Sequence, residues 1–503
     1  MSAFRHIPLG EAVPHSPHAV VVSLPTVADV IGYEERRPET MDTVRTAYPR
    51  FVRHPFVVEA ARKLAEDARI GTRALFPVAT TAAAHQVARF AGIAEADFGV
   101  VETDGWTLLH LPPEDPEPAR RAGKIIQHIG TGLSSRQAED WLVAHGHRAA
   151  AAPEALFAGD GTDAILRELA PLLAPADAAQ GDILICRAGM NAFYAAFEAA
   201  RAVQRPRGRT LWLQLGWLYT DTTETLRKCL AKDESFHFIA DVFDKNAIEK
   251  FFAENGSRLA GVVTEAPTNP LIQTPDLDWL SALALRHGVI RIFDPSTSGL
   301  VNVDLLSRAD VLVTSLTKYA AHQGDVMSGV LAVNPASPHH AALRETARLA
   351  HSPAYGRDLA RLAAQIGDMK AVAARVNANT ARLAVWLEKH PAVRRVHWTG
   401  ASASAANYAT VARSPDATGG MISIELVGPL AQFYDRIKTV KGPSCGTVFT
   451  IVSPFIYMAH YDLVTAPAPR RSLQACGIDP ELVRISVGAE PYEELQAVFA
   501  EAL

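Results

Sequence analysis

The feature that most constrains the fold is a regular alternation of helical and strand-like segments between residue 160 and about residue 335. Short apolar runs in this region, bounded by polar or turn-forming residues, predict strands at 182–186, 210–214, 236–240, 259–264, 289–294, 311–316 and 329–333. The longer segments between them predict helices at 163–173, 191–203, 245–254 and 277–286. Strands that alternate with helices in this way indicate an α/β fold with a mostly parallel sheet covered by helices.

Two of the predicted strands lead to a charged residue. The apolar run 311–316 ends just before Lys318, beside the hydroxyls of Ser315 and Thr317, and another run ends in Asp294. A buried lysine is costly unless it is paired or used, and one use is a Schiff base with a carbonyl compound. Ligands gather at the carboxyl ends of strands in open α/β sheets, so this pair fits a site for pyridoxal 5'-phosphate (PLP). Taken singly, Asp294 could instead cap a turn, and Lys318 could be a solvated strand end.

A phosphate site is indicated where another predicted strand turns into a helix, at Gly189 and Met190. The first turn of a helix offers free N–H groups, and a glycine lets an anion approach the backbone closely. Ser315 and Thr317 could add hydroxyl donors to the same phosphate. Asn269 follows a further strand end and could supply a polar group to the cofactor ring. The alternatives are a glycine required by a tight turn and an asparagine in its usual place in a Pro-rich turn.

A series of short motifs in a fixed order resembles the Cys/Met-metabolism PLP enzymes, which include cystathionine γ-synthase, cystathionine lyases and acylhomoserine sulfhydrylases. Ser-Leu-Thr-Lys-Tyr around Lys318 and Glu-Ala-Pro-Thr-Asn-Pro at 265–270 are similar to two motifs of that family. The other matching positions are 48–50, 189–190, 219, 294, 324–329 and 482–490. Tyr-Pro-Arg-Phe at 48–51 and Gly-Pro-Ser-Cys-Gly-Thr at 442–447 look most like the long, fungal-type cystathionine γ-synthase branch. The resemblance implies an aspartate-aminotransferase-like (fold type I) large domain with a smaller C-terminal α+β domain.

The resemblance also implies roles for individual residues. Lys318 would hold PLP and move protons at the substrate, while Tyr219 would stack on the cofactor ring and assist as an acid or base. Asp294 would keep the pyridine nitrogen protonated, which makes the ring an electron sink. Arg484 would pair with the substrate carboxylate, and Ser444 would contribute to substrate binding.

Tyr48 and Arg50 match residues that reach the phosphate of the neighbouring subunit in that family. This implies a homodimer or homotetramer with an active site between subunits. In the family these residues lie close ahead of the PLP domain, whereas roughly a hundred residues intervene here. The expected regions are therefore an arm at 1–55 that contacts the neighbouring subunit, an inserted α/β region of unknown role at 56–155, the PLP-binding large domain at 156–337, a helical linker at 338–391 and the small domain at 392–503.

Composition excludes several other classes of protein. The formal net charge of −5 is small for 503 residues, and no basic stripe stands out, so nucleic acid is not an expected partner. The four cysteines are scattered without metal-ligand spacing, which indicates a reduced compartment and no metal site. No stretch reaches the length of a membrane span, and the first residues lack the apolar run of a signal peptide. We therefore expect a cytoplasmic protein that acts on small amino-acid substrates.

Three functional hypotheses remain. The first is γ-replacement on an O-acylated homoserine by a thiol, which forms a C–S bond as in cystathionine γ-synthase. The second is a lyase of the same family, which cleaves C–S bonds by β- or γ-elimination. The third is a non-catalytic scaffold with a PLP-enzyme fold, although the joint presence of Lys318, Asp294, Gly189, Tyr219 and Arg484 weighs against it.

Overall fold

A computed structural model of the chain describes residues 4–71, 73–113, 116–173, 182–401 and 403–503. The N-terminal arm contains two very short antiparallel strands and two helices: β1 (Ala12–Val13), β2 (Val21–Val22), α1 (Val27–Glu34) and α2 (Pro38–Met41). Thr26 begins α1 with a capping box, in which its side chain accepts a hydrogen bond from the Asp29 N–H and Asp29 accepts one from the Thr26 N–H. Apolar residues of the arm pack into the core of the C-terminal domain: Val22, Leu24, Val30 and Tyr33.

The region from 55 to 144 forms a small α/β layer. Its elements are α3 (Pro55–Asp67), β3 (Ala74–Val78), α4 (Thr81–Phe90), β4 (Gly99–Thr103), β5 (Trp106–Leu111), α5 (Pro116–Ile129) and α6 (Ser135–Ala144). The three strands form an antiparallel sheet in the order β3-β5-β4. Helix α4 buries a face of small side chains, Ala83, Ala84, Val87 and Ala88, which lets it pack closely.

The large domain confirms the predicted α/β fold with a mostly parallel sheet. Its strands are β6 (Ile183–Cys186), β7 (Leu211–Leu215), β8 (Ser235–Ile239), β9 (Leu259–Glu265), β10 (Ile290–Asp294), β11 (Val311–Ser315) and β12 (Gly329–Val333). They pair in the order β6-β12-β11-β10-β9-β7-β8, and β12 runs in the opposite direction to the other six. Every residue of β9 is buried, as expected for a strand covered on both faces.

Helices of the large domain connect these strands: α7 (Gly161–Leu173), α8 (Gly189–Gln204), α9 (Thr220–Lys228), α10 (Lys245–Asn255) and α11 (Leu277–His287). The apolar pattern did not predict α9, whose sequence is Thr-Asp-Thr-Thr-Glu-Thr-Leu-Arg-Lys. This helix buries Asp221, Thr222, Thr225 and Leu226, so its inner face is largely polar. A periodicity argument that counts apolar residues therefore has almost nothing to detect there.

The remainder of the chain forms three helices and then the C-terminal domain. The helices are α12 (His340–Ala350), α13 (Gly356–Ile366) and α14 (Met369–Leu387). The domain that follows contains β13 (Val393–His397), α15 (Ala405–Val411), β14 (Met421–Leu426), α16 (Leu430–Tyr434), β15 (Val440–Lys441), β16 (Ile451–Pro454), α17 (Phe455–Ala459), α18 (Pro467–Ala475), β17 (Val483–Ser486) and α19 (Tyr492–Ala502). Its sheet has the order β13-β14-β17-β16-β15, which matches the α+β character expected from the sequence.

Two buried cores join the regions to one another. One core combines residues of α4, α5 and β5 with α8 and one face of the large sheet. The other combines the arm with α14, α19 and the C-terminal sheet. Residues at the carboxyl ends of β7, β9, β10 and β11 line a space that is also lined by the arm, the inserted region and the C-terminal domain. Across the described residues, no helix is both long and apolar enough to cross a membrane.

Candidate active site

A cavity of about 880 Å³ lies at these strand ends, and the arm, the inserted region, the large domain and the C-terminal domain all contribute to its wall. It brings together most of the residues that the sequence singled out. Those that line it are Tyr48, Arg50, Gly189, Met190, Tyr219, Asn269, Asp294, Ser315, Lys318, Ser444 and Arg484.

Lys318 follows β11 and reaches into the cavity. Its Nζ atom donates a hydrogen bond to Ser444 Oγ at 2.7 Å and lies 4.7 Å from the centre of the Tyr48 ring. The next residue, Tyr319, has φ 59°, and Ser444 has φ 106°, both unusual for residues with a side chain. Such backbone strain persists where the surrounding structure fixes a residue, and it clusters at functional sites. The surrounding structure therefore fixes the backbone directly after the lysine and at its hydroxyl partner, Ser444.

Tyr48 is buried between two cations. Burial by itself raises the pKa of its phenol, but Lys318 and Arg50 oppose this and together bring the pKa below its ordinary value. The Lys318 Nζ atom lies 4.7 Å from the centre of the Tyr48 ring. The two cations therefore favour the ionised form of this buried phenol.

Arg484 is buried on β17 and is held mostly by neutral oxygen atoms. One of its terminal nitrogens donates to Asn269 Oδ1 at 3.2 Å, and the other donates to the Ser444 carbonyl at 3.0 Å. The guanidinium also lies 4.4 Å from the centre of the Phe455 ring. Burial lowers the pKa of this guanidinium, although the group stays cationic. A fixed, fork-shaped cation in such surroundings suits a carboxylate.

Asp294 ends β10 and lies directly beside Glu265, its partner on β9. Asp294 Oδ1 accepts a hydrogen bond from the Ser296 N–H at 2.7 Å, so the residue does cap the following turn. Burial raises the pKa of Asp294 to about 6, against the opposing effect of the Ser296 hydrogen bonds. Burial and the charge of Asp294 raise the pKa of Glu265, whose Oε1 accepts from the Tyr219 N–H at 2.5 Å. A positively charged partner in the cavity would therefore stabilise the ionised form of Asp294.

The start of α8 fits a phosphate. Its N-cap, Ala188, has no side chain that could cap the first N–H groups. A Cβ atom on Gly189 would lie 2.7 Å from Ser315 Cβ, so glycine leaves the space there open. Within the described residues, Ser315 Oγ and Arg50 Nε are buried without a hydrogen-bond partner. Together with Lys318 and Asp294 these groups match the phosphate, aldehyde and ring nitrogen of PLP.

A buried network holds Arg50. One terminal nitrogen of Arg50 donates to Asp221 Oδ2 at 2.5 Å and to the Gln127 carbonyl at 2.8 Å, and the other donates to Tyr219 Oη at 2.6 Å. Asp221 Oδ1 accepts from Gln127 Nε2 and from His128 Nδ1, each at 2.9 Å. Burial tends to raise the pKa of Asp221, but Arg50 and His128 lower it to about 2. Asp221 is therefore ionised at neutral pH.

Thr317 is the predicted cofactor ligand that the structure places elsewhere. It is fully buried, donates to the Ser328 carbonyl at 3.3 Å and accepts from the Ser328 N–H at 3.1 Å. It is absent from the residues that line the cavity. This geometry indicates a role in fixing the chain next to Lys318, and phosphate binding by Thr317 stays a prediction without structural support.

Sequence reasoning did not single out Asp221, Gln127, His128 and Ser296. Asp221 directly follows the Tyr219-Thr pair, so its position was a usable signal. Gln127 and His128 lie in α5, whose sequence carries no motif that connects it to the cavity. In the described part of the chain, no group of three or more His, Cys, Asp or Glu side chains is arranged to hold a metal ion.

Comparisons with known proteins agree with this geometry. The family model described as "Cys/Met metabolism PLP-dependent enzyme" matches residues 177–503. The chain is 39% identical to the L-2-amino-4-chloropent-4-enoate dechlorinase/desaturase of Streptantibioticus cattleyicolor, over 97% of each chain. It is 28% identical to cystathionine gamma-synthase of Neurospora crassa, over 98% of each chain.

A solved structure also shows the same fold. The cystathionine gamma synthase of Xanthomonas oryzae pv. oryzae, in complex with aminoacrylate and cysteine, superimposes with a TM-score of 0.56 at 23% identity. The match covers 68% of this chain and 86% of the other.

Proposed function

Because this chain belongs to the family of Cys/Met metabolism PLP-dependent enzymes, we propose that it removes a leaving group from the γ-carbon of a small α-amino acid. One observation carries this proposal. Ser444 contacts both Lys318, through its hydroxyl, and Arg484, through its carbonyl. A substrate whose carboxylate is bound by Arg484 would consequently present its Cα and Cβ hydrogens to the lysine amine.

Each residue contributes a separate function in this scheme. When bound, PLP draws into its ring the electron pair that is left when a proton departs from the substrate. Asp294 would hold the pyridine nitrogen, and Gly189, Ser315 and Arg50 would hold the phosphate. The Lys318 amine would take a proton from Cα and act again at Cβ, since its contact with Ser444 fixes its position.

Tyr48 and Tyr219 supply further proton-transfer groups. The phenol of Tyr48 lies beside the lysine and has a lowered pKa. Tyr219 begins α9, and Arg50 both donates to its hydroxyl and lies 5.4 Å from the centre of its ring. Burial raises the pKa of Tyr219 well above its ordinary value, so it favours the protonated form. Tyr48 would therefore be the phenol that gives up its proton more readily, and Tyr219 the neutral, hydrogen-bonding partner of the ring.

Apolar side chains in the lining of the cavity support a small apolar substrate side chain. The lining includes Trp217, Phe455, Met458 and Leu473, and Trp217 packs edge-on against His460. Burial lowers the pKa of His460 to about 4, so this imidazole is uncharged at neutral pH. Contacts with such side chains would favour a halogenated or alkenyl side chain over one that ends in a second ammonium and carboxylate. The similarity to the chloropentenoate dechlorinase supports chloride as the leaving group.

The second candidate is γ-replacement, in which a thiol adds at Cγ of an O-acylated homoserine. It is supported by the similarity to cystathionine gamma-synthase over almost the whole chain. Charged residues at the cavity mouth, including Arg36, Lys124 and Arg227, could receive the carboxylate of a second amino acid. C–S cleavage of cystathionine is the corresponding lyase reaction.

The test measures products from matched substrates. We expect the purified protein to show a visible absorption band of bound PLP that is lost in Lys318→Ala. We also expect release of chloride from 2-amino-4-chloropent-4-enoate without any thiol. If chloride stays bound to the substrate and cystathionine forms only when O-acylated homoserine and cysteine are both present, the elimination proposal is wrong and replacement holds. Ammonia and a keto acid formed from cystathionine would instead identify a lyase.

A further inference from the structure

The loop between β7 and α9, which carries Tyr219, is held by the segment that ends β9 and follows it. The Asn269 N–H donates to the Trp217 carbonyl at 3.3 Å, and the Tyr219 N–H donates to Glu265 Oε1 at 2.5 Å. Tyr219 is the N-cap residue of α9, and its own side chain does not cap that helix. The segment 265–270 therefore fixes the backbone that presents the Tyr219 ring to the cavity.

Glu265 is also linked to Asp294. The parallel strands β9 and β10 pair at these two residues, and the Ala266 N–H donates to the Asp294 carbonyl at 3.0 Å. Paired residues of neighbouring strands point to the same face of a sheet, and both side chains line the cavity. Glu265 consequently connects two residues that would contact the cofactor ring: Tyr219 at its face and Asp294 at its nitrogen.

The surroundings of Glu265 favour an uncharged carboxyl group. Two neighbouring carboxyl groups in a buried site do not readily ionise together. Burial, Asp294 and Cys445 raise the pKa of Glu265, while the Tyr219 N–H and Arg484 act in the opposite direction without reversing the shift. An uncharged carboxyl group still accepts a hydrogen bond through its carbonyl oxygen. The contact with the Tyr219 N–H therefore does not require Glu265 to be charged, and the negative charge of the pair is left to Asp294.

We propose that Glu265 is a positioning residue for the cofactor ring, which it serves by fixing the backbone of Tyr219 next to Asp294. Its acceptor oxygen performs this role, and a charge on Glu265 does not. The Tyr219 ring and the Asp294 carboxylate are thereby held at fixed places around one pyridine ring. This inference rests on the roles proposed above for Tyr219 and Asp294, and it is independent of which substrate reacts.

Two substitutions separate the acceptor oxygen from the charge. Glu265→Gln keeps an acceptor oxygen but cannot ionise, whereas Glu265→Leu removes both properties. In fluorescence titrations with PLP, we expect Glu265→Leu to weaken binding about tenfold and Glu265→Gln to change it by no more than about twofold, because only the first leaves the Tyr219 N–H without a partner. Equal weakening by both variants, or unchanged binding in Glu265→Leu, would overturn the proposal.

Circular dichroism in the visible band of bound PLP reports how rigidly the protein holds the ring. Glu265→Leu should lose amplitude per bound PLP, and Glu265→Gln should keep it. Glu490→Leu is the matched control: Glu490 accepts from the Thr450 N–H at 2.6 Å, burial raises its pKa, and it is not among the described residues that line the cavity. This control should lower stability towards urea without changing PLP affinity or dichroism. An equal loss of both in Glu490→Leu would show that Glu265 acts only through general stability.

The pH dependence of Glu265→Gln decides the question if Glu265→Leu does not fold. PLP affinity of the wild type should fall as Asp294 is protonated near pH 6. An uncharged Glu265 predicts the same midpoint in Glu265→Gln. An ionised Glu265 would raise the pKa of Asp294, so a midpoint lower by about one pH unit in Glu265→Gln would overturn the proposal. These readouts need no substrate, so a protein that binds PLP but releases no chloride refutes the proposed function and leaves this test unaffected.

Discussion

Replacing Asp221 by asparagine tests the buried network most directly. The variant keeps the size of the side chain but removes the charge that balances Arg50. The Asp221 side chain is 1% exposed and contacts Arg50, Gln127 and His128, so solvent cannot take over its role. Breaking a buried pair in this way costs about 3–5 kcal/mol, because the remaining charge stays buried. We expect a loss of unfolding free energy of that size at pH 7.

The same contribution should depend on pH. The pKa of Asp221 falls from its ordinary value of 3.8 to about 2 in the folded protein. At about 1.4 kcal/mol for each pKa unit, this difference is worth roughly 2.5 kcal/mol, which is the part of the expected loss that depends on the ionisation of Asp221. Because the folded pKa is the lower one, the stabilisation is fully present above about pH 4 and is lost as the pH falls towards 2. The difference between wild type and variant should therefore shrink in that range.

Urea denaturation followed by tryptophan fluorescence measures both effects. The comparison is made on protein from which PLP has been removed, so that altered cofactor affinity does not enter. Asp233→Asn is the control, because Asp233 forms an exposed ion pair with Arg205 and should change stability by less than about 1 kcal/mol. A loss of less than about 1 kcal/mol for Asp221→Asn, or one unchanged between pH 7 and pH 3, would refute the argument that Asp221 neutralises a buried Arg50.

Three further predictions concern the cofactor and substrate contacts. Gly189→Ala puts a Cβ atom 2.7 Å from Ser315 Cβ and should weaken PLP binding at least tenfold in a fluorescence titration. Gly367→Ala is the control, because the space around Gly367 is open, and it should leave PLP binding unchanged. PLP affinity should fall as the pH drops below about 6, because Asp294 becomes protonated there. Titrations at several pH values should show this loss of affinity in the wild type but not in Asp294→Asn. Arg484→Lys keeps the charge but loses the two-pronged contact, so steady-state kinetics should show KM raised tenfold or more with a smaller change in kcat; an unchanged KM would remove Arg484 from substrate binding.

Apolar patterning predicts the strands of the large domain but not its helix α9. Strands such as β9 are continuous apolar runs because helices cover both faces, and such runs are visible in a single sequence. Helix α9 packs through Asp221 and threonine side chains, so its position depends on partners that are distant in the chain. The short strands β15 and β16 were also missed, since two to four residues carry no periodic signal.

The residues that line the cavity show the same division. The closeness of Asp294 and Lys318 could be predicted, because Asp294 ends β10 and Lys318 follows β11, and the topology of such a sheet brings these strand ends together. Gln127 and His128 could not be predicted, because α5 reaches the cavity by packing on α8 and α9 and not by strand order. The same applies to Thr317: its sequence position beside Lys318 suggested a phosphate donor, but the backbone of Ser328 accepts and supplies its hydrogen bonds.

The charges of the cavity explain why it suits PLP and not simply any phosphate compound. Asp221 offsets the cost of burying Arg50 and holds its guanidinium in place. A phosphate therefore meets a fixed guanidinium whose Nε is still unpaired, together with the hydroxyl of Ser315. At the other end, burial raises the pKa of Asp294, and the charge of Asp294 in turn raises that of Glu265. Glu265 therefore favours its protonated form next to an ionised Asp294. A ligand with a positive group at that end of the cavity would stabilise the ionised form of Asp294. A protonated pyridine nitrogen is such a group, and a simple phosphate ester has none.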